Sequence, residues 1–171
     1  MATYTLIDSE VLTSSAASVT FSSIPADYTD LVVRFSGRSN LSNTQDDLKL
    51  TFNGSTSTYS GINVQGNGSA AASNTLTGYA YLYMRNVFDA ATATANTFSS
   101  VEIYIPNYTS SVAKPFNITA MQENNTTAAQ MATQACLWSG TSAITSMTIA
   151  PVDGTAIVSG SSFYLYGISN A

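Results

Sequence analysis

Apolar and polar residues alternate along this chain with a period of two. In the segment DLKLTFN (47–53), Leu48, Leu50 and Phe52 fall on one side, and Asp47, Lys49, Thr51 and Asn53 fall on the other. In LVVRFSGR (31–38), Leu31, Val33 and Phe35 alternate with Arg34, Ser36 and Arg38. Successive side chains of a strand point to opposite faces, so this pattern predicts half-buried strands. Further segments with the same period lie at 3–7, 18–22, 79–86, 100–106, 115–123, 130–138, 143–149 and 162–168, punctuated by Gly, Pro, Asn and Ser. No segment holds a helical period over three turns. The alanine-rich stretch 89–96 and the glycine-rich stretch 53–78 read as loops, the second being the longest. Short strands without helices predict an all-β protein, a jelly-roll-like antiparallel β-sandwich forming a single domain over 1–171, with roughly four strands per sheet plus accessory strands. The sets Leu31/Val33/Phe35, Leu48/Leu50/Phe52 and Val101/Ile103/Ile105 should be buried together. Segments 31–38 and 47–53 are candidates to pair, which would set Arg34, Arg38 and Lys49 on one face with Asp47.

Some strands lack a polar face. In 79–86, Tyr79, Tyr81 and Tyr83 alternate with Ala80, Leu82 and Met84. In 100–106, Tyr104 and Glu102 lie opposite the aliphatic residues. In 162–168, Phe163, Leu165 and Gly167 face one way, and Tyr164, Tyr166 and Ile168 face the other. Two readings stay open. Tyrosine is a good strand residue whose hydroxyl sits well in water. It is also enriched at interfaces, where it offers a rigid apolar body with a polar tip. On the second reading Tyr79, Tyr81, Tyr83, Tyr104, Tyr164, Tyr166 and Ile168 are candidate interface residues. Ile168 gains nothing from water, so the last strand is expected to be covered by a neighbouring subunit.

Composition sharpens the picture. Charged residues make up 9% of the chain, against roughly 25% in an average soluble protein. Ser and Thr fill 48 of 171 positions, so hydroxyls carry the surface. A hydrophobic content of 44% argues against disorder. The net charge is −5, and the cations Arg34, Arg38, Lys49, Arg85 and Lys114 are scattered. Phosphate backbones need clustered cations, so no nucleic-acid partner is expected. No stretch approaches the ~20 apolar residues of a membrane span, so no membrane partner is expected, and no secretion signal is recognisable. The first and last predicted strands lie near the two ends, so both termini are expected in the sheet, without an arm or tether.

The residues available for chemistry are few. Without histidine, Ser–His and Cys–His nucleophile pairs cannot form. Cys136 is the only cysteine, which excludes an internal disulfide and reads as a small buried hydrophobe. One cysteine with carboxylates is a poor zinc set. Asp8 with Glu10, Asp46 with Asp47, and Glu102 with Glu123 could formally pair for glycoside hydrolysis. They read more simply as turn, edge and solvated strand residues. Asp46 and Asp47 lack the EF-hand spacing, and no phosphate-binding glycine loop occurs. The expectation is a non-enzymatic protein with no catalytic residue, cofactor or metal.

Four segments carry a resemblance: TFSSIPADYTDLVVRFSGRS (20–39), ANTFSSVEIYIPNYTSS (95–111), LWSGTSAITSMTIAP (137–151) and FYLYGIS (163–169). With them the chain resembles a family of small all-β virion structural proteins of tailed bacteriophages, notably phages of cyanobacteria and other aquatic bacteria. The resemblance covers most of the chain and is weakest at 53–78 and 85–94. It implies a virion component assembled in the host cytoplasm, and it assigns no site residue. Two roles compete. One is a decoration or cement protein on the capsid surface, a homotrimer bound to the major capsid protein. The alternative is a host-recognition domain of a head or tail fibre, binding a surface glycan through Tyr79, Tyr81 and Tyr83.

Overall fold

The computed structural model describes residues 3–56, 58–125 and 129–169, which form twelve strands and no helix. In chain order these are β1 (Thr3–Val11), β2 (Val19–Phe21), β3 (Asp30–Gly37), β4 (Gln45–Phe52), β5 (Tyr59–Gly66) and β6 (Ala71–Tyr79). Then follow β7 (Leu82–Asp89), β8 (Ser99–Ile105), β9 (Lys114–Gln122), β10 (Gln130–Trp138), β11 (Met147–Pro151) and β12 (Ser162–Ser169). A long sheet has the order β1-β12-β3-β8-β9-β10-β5-β6, and a short one the order β2-β11-β4-β7.

The topology is a jelly roll with two insertions. Antiparallel pairs are nested: β4 with β7, β3 with β8, β2 with β11, and β1 with β12. A chain doubled back on itself in this way and then rolled brings β12 beside β3 and β11 beside β4. Two four-stranded sheets result, the double-sheet arrangement of jelly rolls. The hairpins β5–β6 and β9–β10 both add to the long sheet beyond β8. The expected four strands per sheet make the jelly roll, and the accessory strands all lengthen one sheet, to eight. The expected pairing of 31–38 with 47–53 is replaced: β3 is flanked by β12 and β8 in one sheet, β4 by β11 and β7 in the other.

The three aliphatic sets are buried together between the sheets. Phe35 stacks on Phe163 at 4.9 Å, and Phe52 meets Phe116 and Trp138 edge-on. Each such side chain contributes roughly 1.5–3 kcal/mol through burial. Cys136 is buried here, and burial pushes its thiol up.

The stretch 53–78, read as a loop, carries β5 and β6. Its glycines are needed where strands approach closely or turn. A Cβ on Gly61 would lie 2.8 Å from the Ala135 carbonyl oxygen and from Gln134 Nε2. Gly68 takes φ +84 in the hairpin turn. The segment 79–86 is broken between Tyr79 and Leu82, so Tyr79 and Tyr83 belong to strands of different sheets and Tyr81 lies in the bend between them. Arg38, expected on the solvent side, is buried past the end of β3. Its guanidinium donates to the carbonyl oxygens of Ala93, Thr94 and Thr97 at 2.8–3.0 Å, which ties down the loop after β7.

Candidate functional site

Of the candidate carboxylates, Asp8, Asp46, Asp47, Glu102 and Glu123 accept hydrogen bonds within the fold, and Glu10 is exposed on β1. Asp46 accepts the backbone N–H groups of Asp153 and Gly154 at 3.2 and 3.0 Å. Asp47 accepts the Tyr83 hydroxyl and the Asn86 N–H, both at 2.6 Å. Burial, then this bond to Asp47, pushes the Tyr83 hydroxyl far above its ordinary value. Glu102 pairs with Arg34, whose Nε lies 2.7 Å from Glu102 Oε2. Glu123 lies four positions beyond Thr119, the partner of Glu102 across the sheet, and accepts the Asn125 N–H. Asp8 accepts the N–H of Ser9. No group of three His, Cys, Asp or Glu residues able to hold a metal occurs among the described residues.

The face of the long sheet turned away from the short one divides into two halves. One rung runs Leu6, Tyr166, Val32, Tyr104, Asn117, Ala135, Ile62, Thr75 across all eight strands. In the half built from β1, β12, β3 and β8, tyrosines cover Val32 and Ile168, while Leu6 and Val11 on the edge strand β1 stay exposed. Val32 sits between Tyr166 and Tyr104 and is buried. Ile168 lies opposite Tyr4, whose ring meets Tyr166 edge-on at 6.4 Å. Ile168 is only 6% exposed within this one chain, so it needs no neighbouring subunit. The tyrosine rings are its cover, and Tyr104 keeps its hydroxyl bonded to Asp30 Oδ2 at 2.9 Å. That bond, then burial, raises the Tyr104 hydroxyl. Beside these rings, Arg34, Glu102, Tyr164 and three serines line an open cavity of about 460 Å³.

The half built from β9, β10 and β5 has no such cover. Met131 is 62% exposed there, and Met121, Ile62, Val64 and Leu137 are exposed with it. Two open depressions flank these side chains. One of about 330 Å³ lies along Val64 and Met131, the other of about 390 Å³ along Ile62 and Leu137. We call this half the wing.

Part of the inward side of the wing, beside the core residues Phe116, Ile118 and Trp138, is polar. β10 buries Gln130 and Gln134, β9 buries Gln122, and β5 buries Asn63. The cause is the edge of the short sheet. β7 pairs with β4 on one side only, and its free side turns towards the wing. Gln122 Nε2 donates to the Asn86 carbonyl at 2.7 Å, and Gln134 Nε2 donates to the Tyr83 carbonyl at 3.2 Å. Asn86 Nδ2 donates to Gln130 Oε1, whose amide donates on to Gln65. Side-chain amides thus satisfy an edge that no strand satisfies, as buried backbone groups require. Among the described residues, the side-chain oxygens of Gln122 and Gln134 have no hydrogen-bond partner. Sequence reasoning missed this layer, although the even spacing of Gln130 and Gln134 with Ala132, Cys136 and Trp138 was its signal.

Between β6 and β7 this layer opens into a cleft of about 120 Å³, lined by Asn63, Asn74, Leu76, Tyr79, Tyr83 and Gln134 with Arg85 and Thr75. Tyr79 and Tyr83 therefore do meet, at a cleft and not on a common sheet face. Tyr81 stays apart, with Lys49 Nζ 4.8 Å over its ring.

No family model matches the chain, and no curated protein matches it. Among solved structures, the galectin LEC-6 of Caenorhabditis elegans is 10% identical, aligned over 98% of this chain and 96% of that one, with a TM-score of 0.37. Scytalido-glutamic peptidase with a transition state analog inhibitor is 11% identical, over 91% of this chain and 66% of that one, with a TM-score of 0.25. At these scores neither match bears on ligand or reaction.

Proposed function

We propose that the protein is a non-catalytic structural protein of a tailed-phage virion that decorates the capsid by docking its wing on the major capsid protein. The observation that carries the docking is the outer face of β9, β10 and β5, where Met121, Met131, Leu137, Ile62 and Val64 stand exposed together. Exposed apolar groups gathered on one surface with depressions between them suit a protein partner. The wing's outer face bears no charged side chain between Met131 and Leu137, so docking strips no ion of water there. The virion itself is drawn from the family resemblance, and copies are expected to assemble as homotrimers.

The test uses purified particles. Quantitative mass spectrometry should find hundreds of copies per particle; a few to some dozens would place the protein in a fibre or tail instead. Particles rebuilt with Ile62→Asp/Met131→Asp protein, shown folded by circular dichroism, should lose it. Full retention of the variant on the capsid would overturn the reading.

A further inference from the structure

One tripeptide occurs in two different surroundings. Asn-Gly-Ser stands at 53–55, just after β4, and again at 67–69, between β5 and β6. What the residue types alone dictate is therefore the same at both places, and any difference in behaviour comes from the fold. An asparagine followed by glycine carries its own electrophile and its own nucleophile. The backbone nitrogen of the following residue can close a five-membered ring on the side-chain carbon Cγ, and the two atoms are held near each other by the chain itself. Glycine has no Cβ to crowd that nitrogen or to restrict the dihedrals that ring closure needs.

Asn53 is clamped by a distant part of the chain. Its Nδ2 donates to the Ala143 carbonyl at 2.7 Å, and its Oδ1 accepts the N–H groups of Thr145 and Ser146 at 2.8 and 3.1 Å. Turning Cγ towards the Gly54 nitrogen breaks these bonds. Asn67 is exposed, and its contacts are local. Its Oδ1 accepts the N–H groups of Ser69 and Ala70 at 3.0 and 2.8 Å, so both donors move with its own turn. No hydrogen bond among the described residues holds its Nδ2, the nitrogen that must leave, or engages the Gly68 N–H. Two N–H groups on one carbonyl oxygen act as an oxyanion hole does: they favour the negative charge that gathers on Oδ1 as a nucleophile adds to Cγ.

We propose that Asn67 is a self-modification site, which the folded protein converts to aspartate and isoaspartate through a cyclic imide with Gly68, while Asn53 is spared. The Gly68 nitrogen gives its proton to solvent and bonds to Cγ. The Cγ–Nδ2 bond breaks, and Nδ2 takes up a proton from solvent and leaves as ammonia. Water then opens the imide. Cleavage of the new Cγ–N bond leaves aspartate at this position. Cleavage of the bond between the Asn67 main-chain carbonyl carbon and the Gly68 nitrogen leaves isoaspartate, with the chain running through the former side chain. Either product adds one carboxylate. It stands at a depression of about 260 Å³ that Asn67 shares with Met121, Glu123 and Met131, so the rim of the wing gains a negative charge there.

The test is to age the folded protein for weeks at neutral pH, with fresh protein as the blank. Digestion with chymotrypsin, which cleaves after Tyr59, separates the two asparagines, and mass spectrometry follows each peptide. Asn67 should convert roughly tenfold faster than Asn53 or more, since only Asn53 must give up its anchors to react. The converted protein should elute later from an anion exchanger, and its rate of formation should rise with pH, because the Gly68 nitrogen must lose a proton. In strong denaturant the two rates should converge, since the tripeptide is the same. Asn67→Gln, which moves the amide out of reach of a five-membered ring, should remove the fast-forming product. Equal rates in the folded protein, faster conversion of Asn53, or no conversion at Asn67 would overturn the proposal. A difference that persists in denaturant would overturn it too, because the fold would then not be its cause.

Discussion

β3 and β10 lie in one sheet and send alternate side chains to its inner face, yet β3 places apolar residues there while β10 sets two glutamines among Ala132, Cys136 and Trp138. β3 turns Leu31, Val33 and Phe35 inward and Arg34 and Ser36 outward. β10 turns Gln130 and Gln134 inward and exposes Met131 and Leu137. The difference lies in what each strand faces. β3 and its neighbours face the apolar layer of the short sheet. β10 and β9 face the free side of β7, whose carbonyls demand donors. Alternation decides which residues share a face, and the opposing layer decides which face is inside.

The sharpest break of this comparison is truncation in the apolar half. Phe35→Ala removes a ring stacked on Phe163 and tilted against Phe88 and should cost roughly 3–5 kcal/mol in denaturant unfolding. In the wing the decisive change is towards greater apolarity. Gln122→Leu leaves the Asn86 carbonyl without its donor and should cost about 1–3 kcal/mol, despite a more hydrophobic side chain. A variant more stable than the parent would show that the wing does not need its amides.

High pH should weaken both halves, by less. The hydroxyls of Tyr83 and Tyr104 are raised, and burial pushes Tyr59 up to about 12. A group raised in the fold stabilises fully below its unfolded value, near 10 for tyrosine, and that stability is lost as pH climbs through the folded value. The melting temperature should hold to about pH 10 and then fall. Tyr83→Phe should flatten the fall, and an unchanged slope would remove Tyr83 from the account. The smallest effect belongs to the wing's outer surface. Met131→Ser and Leu137→Ser should change stability by about 0.5 kcal/mol or less, while reducing retention on an apolar resin. A larger loss of stability would mean that these side chains are packed after all.

Where apolar residues faced an apolar layer, the fold was legible in the sequence. The three aliphatic sets meet in one core; the bounds of β10, which segment 130–138 matches to the residue, were legible from alternation alone. The hairpin 59–79 was not legible. β6 buries only Leu76 among its large apolar residues, and glycine stands inside both strands, so neither shows an apolar period. Arg38 was misplaced for a related reason. Its partners are backbone carbonyls of a distant loop, which no residue type announces. Of the candidate site, Tyr79 and Tyr83 were visible as tyrosines, but the amide layer behind them appears only when the edge of β7 is seen.

Nested pairing also sets a schedule. Each pair can close only when its later member has left the ribosome, so β4 and β7 can meet first and β1 must wait for β12. At roughly 5–20 residues per second, that wait lasts about ten to thirty seconds. Throughout it, Tyr4, Leu6 and Val11 have no strand beside them, and the longest-range contact is the last to form. Synthesis rate and a chaperone able to hold the first strand would thus set the yield of this protein, and a codon change late in its message could alter that yield without altering one residue.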